Sequence, residues 1–331
     1  MARSDEVGAV RDETLRVGVL ALDGCLEFAV AGFVEVLAIA DRLVAMAGGS
    51  RRFEVAVVAP RIGAETFTAR RVAVDVALSA WRGDLLVCAP VIDPERTLAS
   101  ERDAIAWLAE RPSARVASVC TGAFFLAEAG LLARRRATTN PLYARAFAAR
   151  YPDVELELSR VIVDEGEIVT AGTVSAALSL ALYVVERHAG VEIAARTAKA
   201  IAFDKNRETQ SPYLVPAHRV EDGDELAVRA QRWIEAHHAD HALSLERIAA
   251  ALAVTPRTLQ RRFLDATGET PMAYLRLVRL EAAKSLLEST RAPVDEIVAR
   301  VGYVDARSFA RLFRAHTELT PTQYRARFGL R

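Results

Sequence analysis

The sequence predicts a mostly parallel α/β domain followed by an all-α domain. Three observations carry this. Apolar strands alternate with helical stretches through the first part of the chain. A polar stretch with two prolines interrupts them at 206–224. Beyond it the pattern is helical only, and it repeats.

Residues 16–21 (RVGVLA) read as a buried strand, closed by a turn at Asp23-Gly24. A well-buried helix follows over 28–46, where charges occur only at Glu35, Asp41 and Arg42. Strands are expected at 53–59 and 84–89, a helix from Pro94 to about Glu110, and a strand at 115–119. The helix over 121–130 stops at Gly130. Residues 160–170 alternate around Asp164-Glu165-Gly166, the signal of a hairpin. Helices at about 173–188 and 190–204 close the domain. Strands separated by helices imply a sheet covered on both faces. The expected divisions are a flexible tail over 1–14, an α/β body over 15–205, a linker over 206–224 and a helical domain over 225–331.

The chain has 331 residues, 52% hydrophobic and 26% charged, which excludes collagen-like, rod-like and bulk-disordered classes. Cys25, Cys88 and Cys120 are too few for a disulfide framework, and without a CxxC pair neither a metal nor a cofactor is expected. Residues 1–14 have no apolar segment of the kind a signal peptide needs. No apolar run reaches the roughly 18 residues that would span a membrane. The expected location is the cytoplasm. Lys and Arg balance Asp and Glu at 43 each, but residues 243–331 hold 15 of the former against 9 of the latter. A tail at +6 on a body at −6 suggests a polyanionic partner for the tail.

The repeat lies in that tail. LQRRFLDATGETPMAY (259–274) matches FARLFRAHTELTPTQY (309–324) at an offset of 50. Phe263, Thr270-Pro271 and Tyr274 correspond to Phe313, Thr320-Pro321 and Tyr324. Upstream, Ile248 and Leu252 match Ile297 and Val301 at an offset of 49. Two helix pairs joined by one long helix at about 271–289 follow. Each pair has helix-turn-helix grammar. Thr255 caps the second helix of the first copy, with Pro256 at its first position; Asp305 caps the equivalent helix of the second. Burial of Leu259 and Phe263 leaves Arg257, Gln260 and Arg261 outside. Burial of Phe309 and Phe313 leaves Arg307, Ser308, Arg311 and Arg314 outside. Such helices aim side chains at base edges in a major groove, where Arg reads guanine and Gln reads adenine. The first turn has Ala253 where the second has Gly302; if both need positive φ, Ala253 is strained by on the order of 1 kcal/mol.

Residues 226–328, including VGYVDARSFARLFRAHTELTPTQYR, resemble the DNA-binding domain of the AraC family of transcription regulators. The resemblance implies two recognition helices in successive major grooves of double-stranded DNA. Its base-facing positions fall on Arg257, Gln260, Arg261, Arg307, Ser308 and Arg311. Arg262 and Arg314 are placed for phosphates.

In the body, Cys120 follows a strand and opens the helix TGAFFLAEAG, an elbow expected to expose its side chain at the carboxyl end of the sheet, where α/β folds bind ligands. The helix N-terminus there favours negative charge. SVCTGAFFLAEAGLL, with RRATT at 135–139 and TAGTVSAALSLAL at 170–182, resembles the amidotransferase-like domain of the PfpI superfamily, in the GlxA-type subgroup that carries an AraC tail. This implies a flavodoxin-like α/β sandwich, a small-molecule effector and a homodimer. Catalytic relatives pair the elbow cysteine with a histidine; Asn140 stands in its place, and an amide cannot be a general base. The acidic residue expected after the first strand aligns with Ala29, with Glu27 nearby. Cys120 is the only nucleophile candidate, and no catalytic residue is assigned. The expected effector pocket comprises Asp23, Gly24, Glu27, Cys120, Thr121 and Asn140. A Cys25–Cys120 redox pair would show as loss of two thiols on mild oxidation. The expected function is ligand-responsive, sequence-specific transcription regulation. The rivals are a Cys120-dependent hydrolase or amidotransferase-like enzyme, and an architectural DNA binder with an inert body.

Overall fold

The computed structural model describes residues 13–61, 63–110, 115–204, 209–213 and 224–330. The chain divides into two compact units, 1–210 and 211–331.

The first unit runs β1 (Leu15–Leu20), α1 (Glu27–Met46), β2 (Phe53–Ala59), β3 (Val76–Ala77), β4 (Leu85–Cys88), α2 (Pro94–Ser100), α3 (Arg102–Ala109), β5 (Arg115–Val119), α4 (Ala123–Glu128), β6 (Arg136–Ala137), α5 (Ala144–Arg150), β7 (Glu155–Leu156), β8 (Ile162–Asp164), β9 (Ile168–Ala171), α6 (Ala176–Ala189) and α7 (Val191–Ala200). Seven strands form one sheet in the order β3-β2-β1-β4-β5-β9-β8. All pairings are parallel except the hairpin β8–β9, where Ile162 faces Ala171. The central strands are apolar throughout because both faces are covered: every residue of β4 and β9 is buried. Helices α1, α6 and α7 pack on one another, and α2, α3 and α4 form a second group. The mostly parallel sheet with flanking helices is the flavodoxin-like fold that the sequence implies.

Several expectations need correction. The helix expected from Pro94 to Glu110 is two helices, broken at Glu101, which has φ −109° and ψ 40°. Its side chain is buried against Arg61, a non-local pairing. The short strands β3, β6 and β7 and helix α5 have too few residues for a readable period. Of the expected tail, 1–12 lie outside the described residues, and Glu13 pairs with Arg51 at 3.0 Å. Of the expected linker, 206–208 and 214–223 lie outside the described residues. Gln210 is fully buried in the first unit, where its Nε2 donates to the carbonyl of Leu158 at 2.7 Å. Asp224 caps the first long helix of the second unit.

The second unit opens with a 3-10 turn, Ser211–Tyr213, whose Tyr213 ring meets Phe328 edge-on. Then come α8 (Glu225–His237), α9 (Leu245–Ala251), α10 (Pro256–Thr267), α11 (Pro271–Ser289), α12 (Val294–Arg300), α13 (Ala306–Thr317) and α14 (Pro321–Phe328). The duplication is physical. One core gathers Ile234, Ile248, Leu259, Phe263 and Leu275; the other gathers Leu280, Leu287, Ile297, Phe309 and Phe313. Helix α11 serves both. Thr255 and Asp305, the caps read from the sequence, each accept a backbone N–H at a helix start, and so do Thr270 and Thr320 of the repeated Thr-Pro pairs.

Ala253 has φ +57° and Gly302 φ +85°, so both turns demand the left-handed conformation. Ala253→Gly should therefore stabilise the unit by up to about 1 kcal/mol. Gly302→Ala should destabilise it by more than that. A Cβ there would sit 2.7 Å from the carbonyl oxygen of His238, which is backbone and cannot swing aside. Urea midpoints of the two variants should move in opposite directions.

Candidate functional site

The residues singled out from the sequence fall in two regions, one in each unit. In the helical unit, α10 and α13 present equivalent outer faces. Arg257, Gln260 and Arg261 are exposed on α10, opposite buried Leu259 and Phe263. On α13, Arg307, Arg311 and Arg314 are exposed and Ser308 is half-buried, opposite Phe309 and Phe313. Among the described residues Arg257, Arg307 and Arg314 hold no ion pair. Arg261 approaches Asp265 at 3.5 Å, with both side chains more than 60% exposed. Arg311 reaches Ser308 Oγ at 3.4 Å. These are weak, water-exposed contacts that a stronger anion displaces at little cost.

Arg262 differs. The sequence places it for phosphates, but its guanidinium closes on Asp224 through Nε and Nη2 at 2.6 and 2.7 Å. The same carboxylate caps α8 by accepting from Leu226 and Ala227. The Arg262 guanidinium and these two N–H groups hold the Asp224 carboxyl below its ordinary pKa. Arg262 is therefore a tie between α10 and α8, and its fork is occupied.

In the α/β unit, the elbow is real and tight. Cys120 has φ +58°, a strained conformation for a side chain other than glycine. Gly122 lets the elbow press against β4: a Cβ there would lie 2.3 Å from the carbonyl oxygen of Cys88. The thiol is not exposed as expected; Cys120 is buried. Asn140 Nδ2 donates to Cys120 Sγ at 3.3 Å, while Asn140 Oδ1 accepts from the Leu142 amide at 3.0 Å, which fixes the orientation of the carboxamide. Thr139 Oγ1 donates to the Cys120 carbonyl at 2.8 Å. Burial pushes the Cys120 thiol above its ordinary pKa, against the opposing effect of the Asn140 hydrogen bond. The sulfur is a neutral thiol at neutral pH, and its side-chain partner is an amide that cannot take its proton.

The expected pocket is thus divided. Cys120 and Asn140 come together. Thr121 does not line a pocket: its buried hydroxyl donates to the Val91 carbonyl at 2.6 Å and accepts from the Val91 amide at 2.9 Å. Asp23 binds Arg61 at 2.8 Å, and the same arginine holds the buried Glu101 at 2.6 Å. Glu27 faces Arg70 at 3.5 Å. Gly24, at φ +82°, turns the chain so that its carbonyl accepts from Ile92. Asp23 and Glu27 are thus paired to arginines of the segment after β2, and neither they nor Gly24 share a hydrogen bond with Cys120. All three cysteines are free and buried. His188 is half-buried, and its Nε2 meets the carbonyls of Glu13 and Arg52.

Tyr143 stands in no motif that would single it out, yet its hydroxyl donates to the Ile92 carbonyl at 2.6 Å from the turn that follows Asn140. Ile92, tied through its carbonyl to Tyr143, and Leu142, whose amide meets Asn140, are 40% and 57% exposed apolar side chains. A cavity of about 290 Å³ lies elsewhere, at the amino edge of the sheet, lined by Leu85, Val116, Val169, Leu180 and two arginines. Those arginines are already neutralised, Arg115 by Glu167 and Arg187 by Asp164.

The chain matches two family models. Residues 248–327 match a helix-turn-helix domain and residues 96–187 match the DJ-1/PfpI family. It is 28% identical over 248 residues to the HTH-type transcriptional regulator CdhR of Pseudomonas aeruginosa, covering 74% of this chain and 73% of that protein. It is 30% identical over 229 residues to the HTH-type transcriptional regulator Rv1931c of Mycobacterium tuberculosis, covering 65% of this chain and 83% of that one. The solved structure of an AraC family transcriptional regulator from Pseudomonas putida superposes with a TM-score of 0.50 at 19% identity, covering 56% of this chain and 99% of that chain.

Proposed function

We propose, because this chain belongs to the AraC family of transcriptional regulators that carry a DJ-1/PfpI domain, that its helical unit reads operator DNA while its α/β unit senses a small effector. The observation that carries this is the matched pair of exposed polar arrays on α10 and α13. Arg257, Gln260 and Arg261 on one helix, and Arg307, Ser308 and Arg311 on the other, face outward from helices with equivalent caps and equivalent cores. Each array enters one of two successive major grooves. Arg314, farther along α13, meets phosphate.

The test begins with a duplex selected from random sequence by the full chain. Binding to it should weaken steeply with salt. Arg314→Ala should weaken selected and scrambled duplexes alike and flatten the log–log salt slope by about one unit. A loss confined to the selected duplex would move Arg314 into the base-reading set.

In the α/β unit, the oriented amide of Asn140 and the exposed apolar side chains of Ile92 and Leu142 fit a small amphipathic solute with a polar group for Asn140. A neutral thiol beside an amide supports binding over turnover, so the unit acts as a sensor and not as an enzyme. The chain works as a homodimer in the cytoplasm, and the effector acts by differing affinity for two arrangements of the pair. Among the described residues no helix is long and apolar enough to cross a membrane. The effector reading is tested by melting the full chain against a metabolite panel. A ligand at about a hundred times its Kd adds about 2.7 kcal/mol, a readable rise in Tm. The rise should vanish in Asn140→Leu; an equal rise in that variant would move the effector elsewhere, and thiol-dependent turnover by the wild type would favour the enzyme.

A further inference from the structure

Arg279 lies in the middle of α11, between the residues that serve the first core (Tyr274, Leu275) and those that serve the second (Leu280, Ala283, Leu287). It is only 8% exposed. No acidic side chain is hydrogen-bonded to it among the described residues. Its Nε donates to the His238 carbonyl and its Nη2 to the Asp240 carbonyl, both at 2.8 Å. The His238 carbonyl belongs to the C-cap of α8, where the helix end leaves acceptors without intrahelical donors and where positive charge is favoured, and the Asp240 carbonyl lies in the turn just beyond it. On its other side the guanidinium lies over the Tyr303 ring, 5.3 Å from the centroid. Tyr303 follows the turn of the second helix-turn-helix. The missing side chain of Gly302 completes the contact: a Cβ there would come within 2.9 Å of Arg279 Nη2 and 3.0 Å of the Ala239 carbonyl.

We propose that Arg279 is the positioning residue that locks the two helix-turn-helix halves at one separation and angle, and so sets the spacing of the two DNA elements the chain accepts. Each half has its own core, and α11 alone is a single rod that can bend or twist. A planar fork that holds the end of α8 with one edge and stacks on the second turn with its face fixes the remaining freedom. Lysine keeps the charge but cannot fork and stack together. The inference rests on both α10 and α13 reading DNA.

The experiment measures the full chain on three duplexes: the selected two-element site, the same site with one base pair inserted between the elements, and a site with the first element only. One inserted pair turns the second element by about 35°. Joining two modules in a fixed geometry adds about 10²–10⁴ in affinity, lost when both cannot engage together. The wild type should therefore bind the inserted site at least tenfold more weakly than the native one. Arg279→Met and Arg279→Lys should bind the single element within twofold of wild type, yet lose most of the penalty for insertion. Tyr303→Leu, which removes the stacked ring from the other half, should behave the same way and guards against a folding defect at residue 279. A full insertion penalty retained in these variants overturns the proposal. So does a parallel loss on the single element, which would make Arg279 a residue of the fold alone. Equal wild-type affinity for one element and two would instead sink the two-helix reading itself.

Discussion

Phe313→Ala is expected to melt the second helix-turn-helix and leave the first standing. Phe313 is fully buried and packs against Phe309 and Tyr324, with ring centroids at 5.5 and 5.3 Å. The core it belongs to is small and separate from the one beneath α10. Truncating a buried Phe costs about 3–5 kcal/mol. That approaches the whole stability of a small domain, about 5–15 kcal/mol. The first core does not share these contacts, so amides of α10 should keep their protection from hydrogen exchange while those of α12 and α13 lose theirs. The DNA footprint should shrink to one element. Phe263→Ala should give the mirror result, since Phe263 is equally buried and packs on Tyr274 at 5.6 Å. Loss of protection across both halves in either variant would show that the two cores fold as one.

What the sequence revealed follows from how local each cause is. Caps, turns and the repeat depend on residues a few positions apart. Thus Thr255, Asp305 and the positive φ at Ala253 were legible, as were the bounds of α11. So was the sheet, because buried parallel strands write themselves as apolar runs. What failed depended on distant partners. Arg262 faces the right way for phosphate by helical periodicity, but Asp224, 38 positions earlier, occupies it. Thr121 sits beside the elbow cysteine, but Val91 consumes its hydroxyl. The elbow at Cys120 was predicted; its burial was not, because the cover comes from the turn after β6. Gln210 sat in a polar, proline-bearing stretch, yet it packs against Gly172 and Thr138. Arg279 carries no local signal of burial, because its partners, the carbonyls of His238 and Asp240, lie about 40 positions earlier.

The largest effect on recognition should come from Arg261 and Arg311. Each is exposed on the outer face of its helix. Their contacts to Asp265 and Ser308 are long and wet, so redirecting them to a base sacrifices little. A bidentate arginine on guanine is worth about 1–3 kcal/mol of discrimination, so each alanine variant should lose about 5- to 150-fold on the selected duplex. The two residues stand on separate cores and share no partner, so their losses should add, to about 2–6 kcal/mol in the double variant. Sequence dependence separates this from a simple charge effect. Reselection with Arg261→Ala should relax one base position in the first element and leave the second unchanged, and Arg311→Ala should do the converse. A uniform loss over all sequences would place either residue on the phosphates with Arg314. No loss from either would mean that these helices do not face the groove, and the DNA-reading face would have to be sought elsewhere on the helical unit.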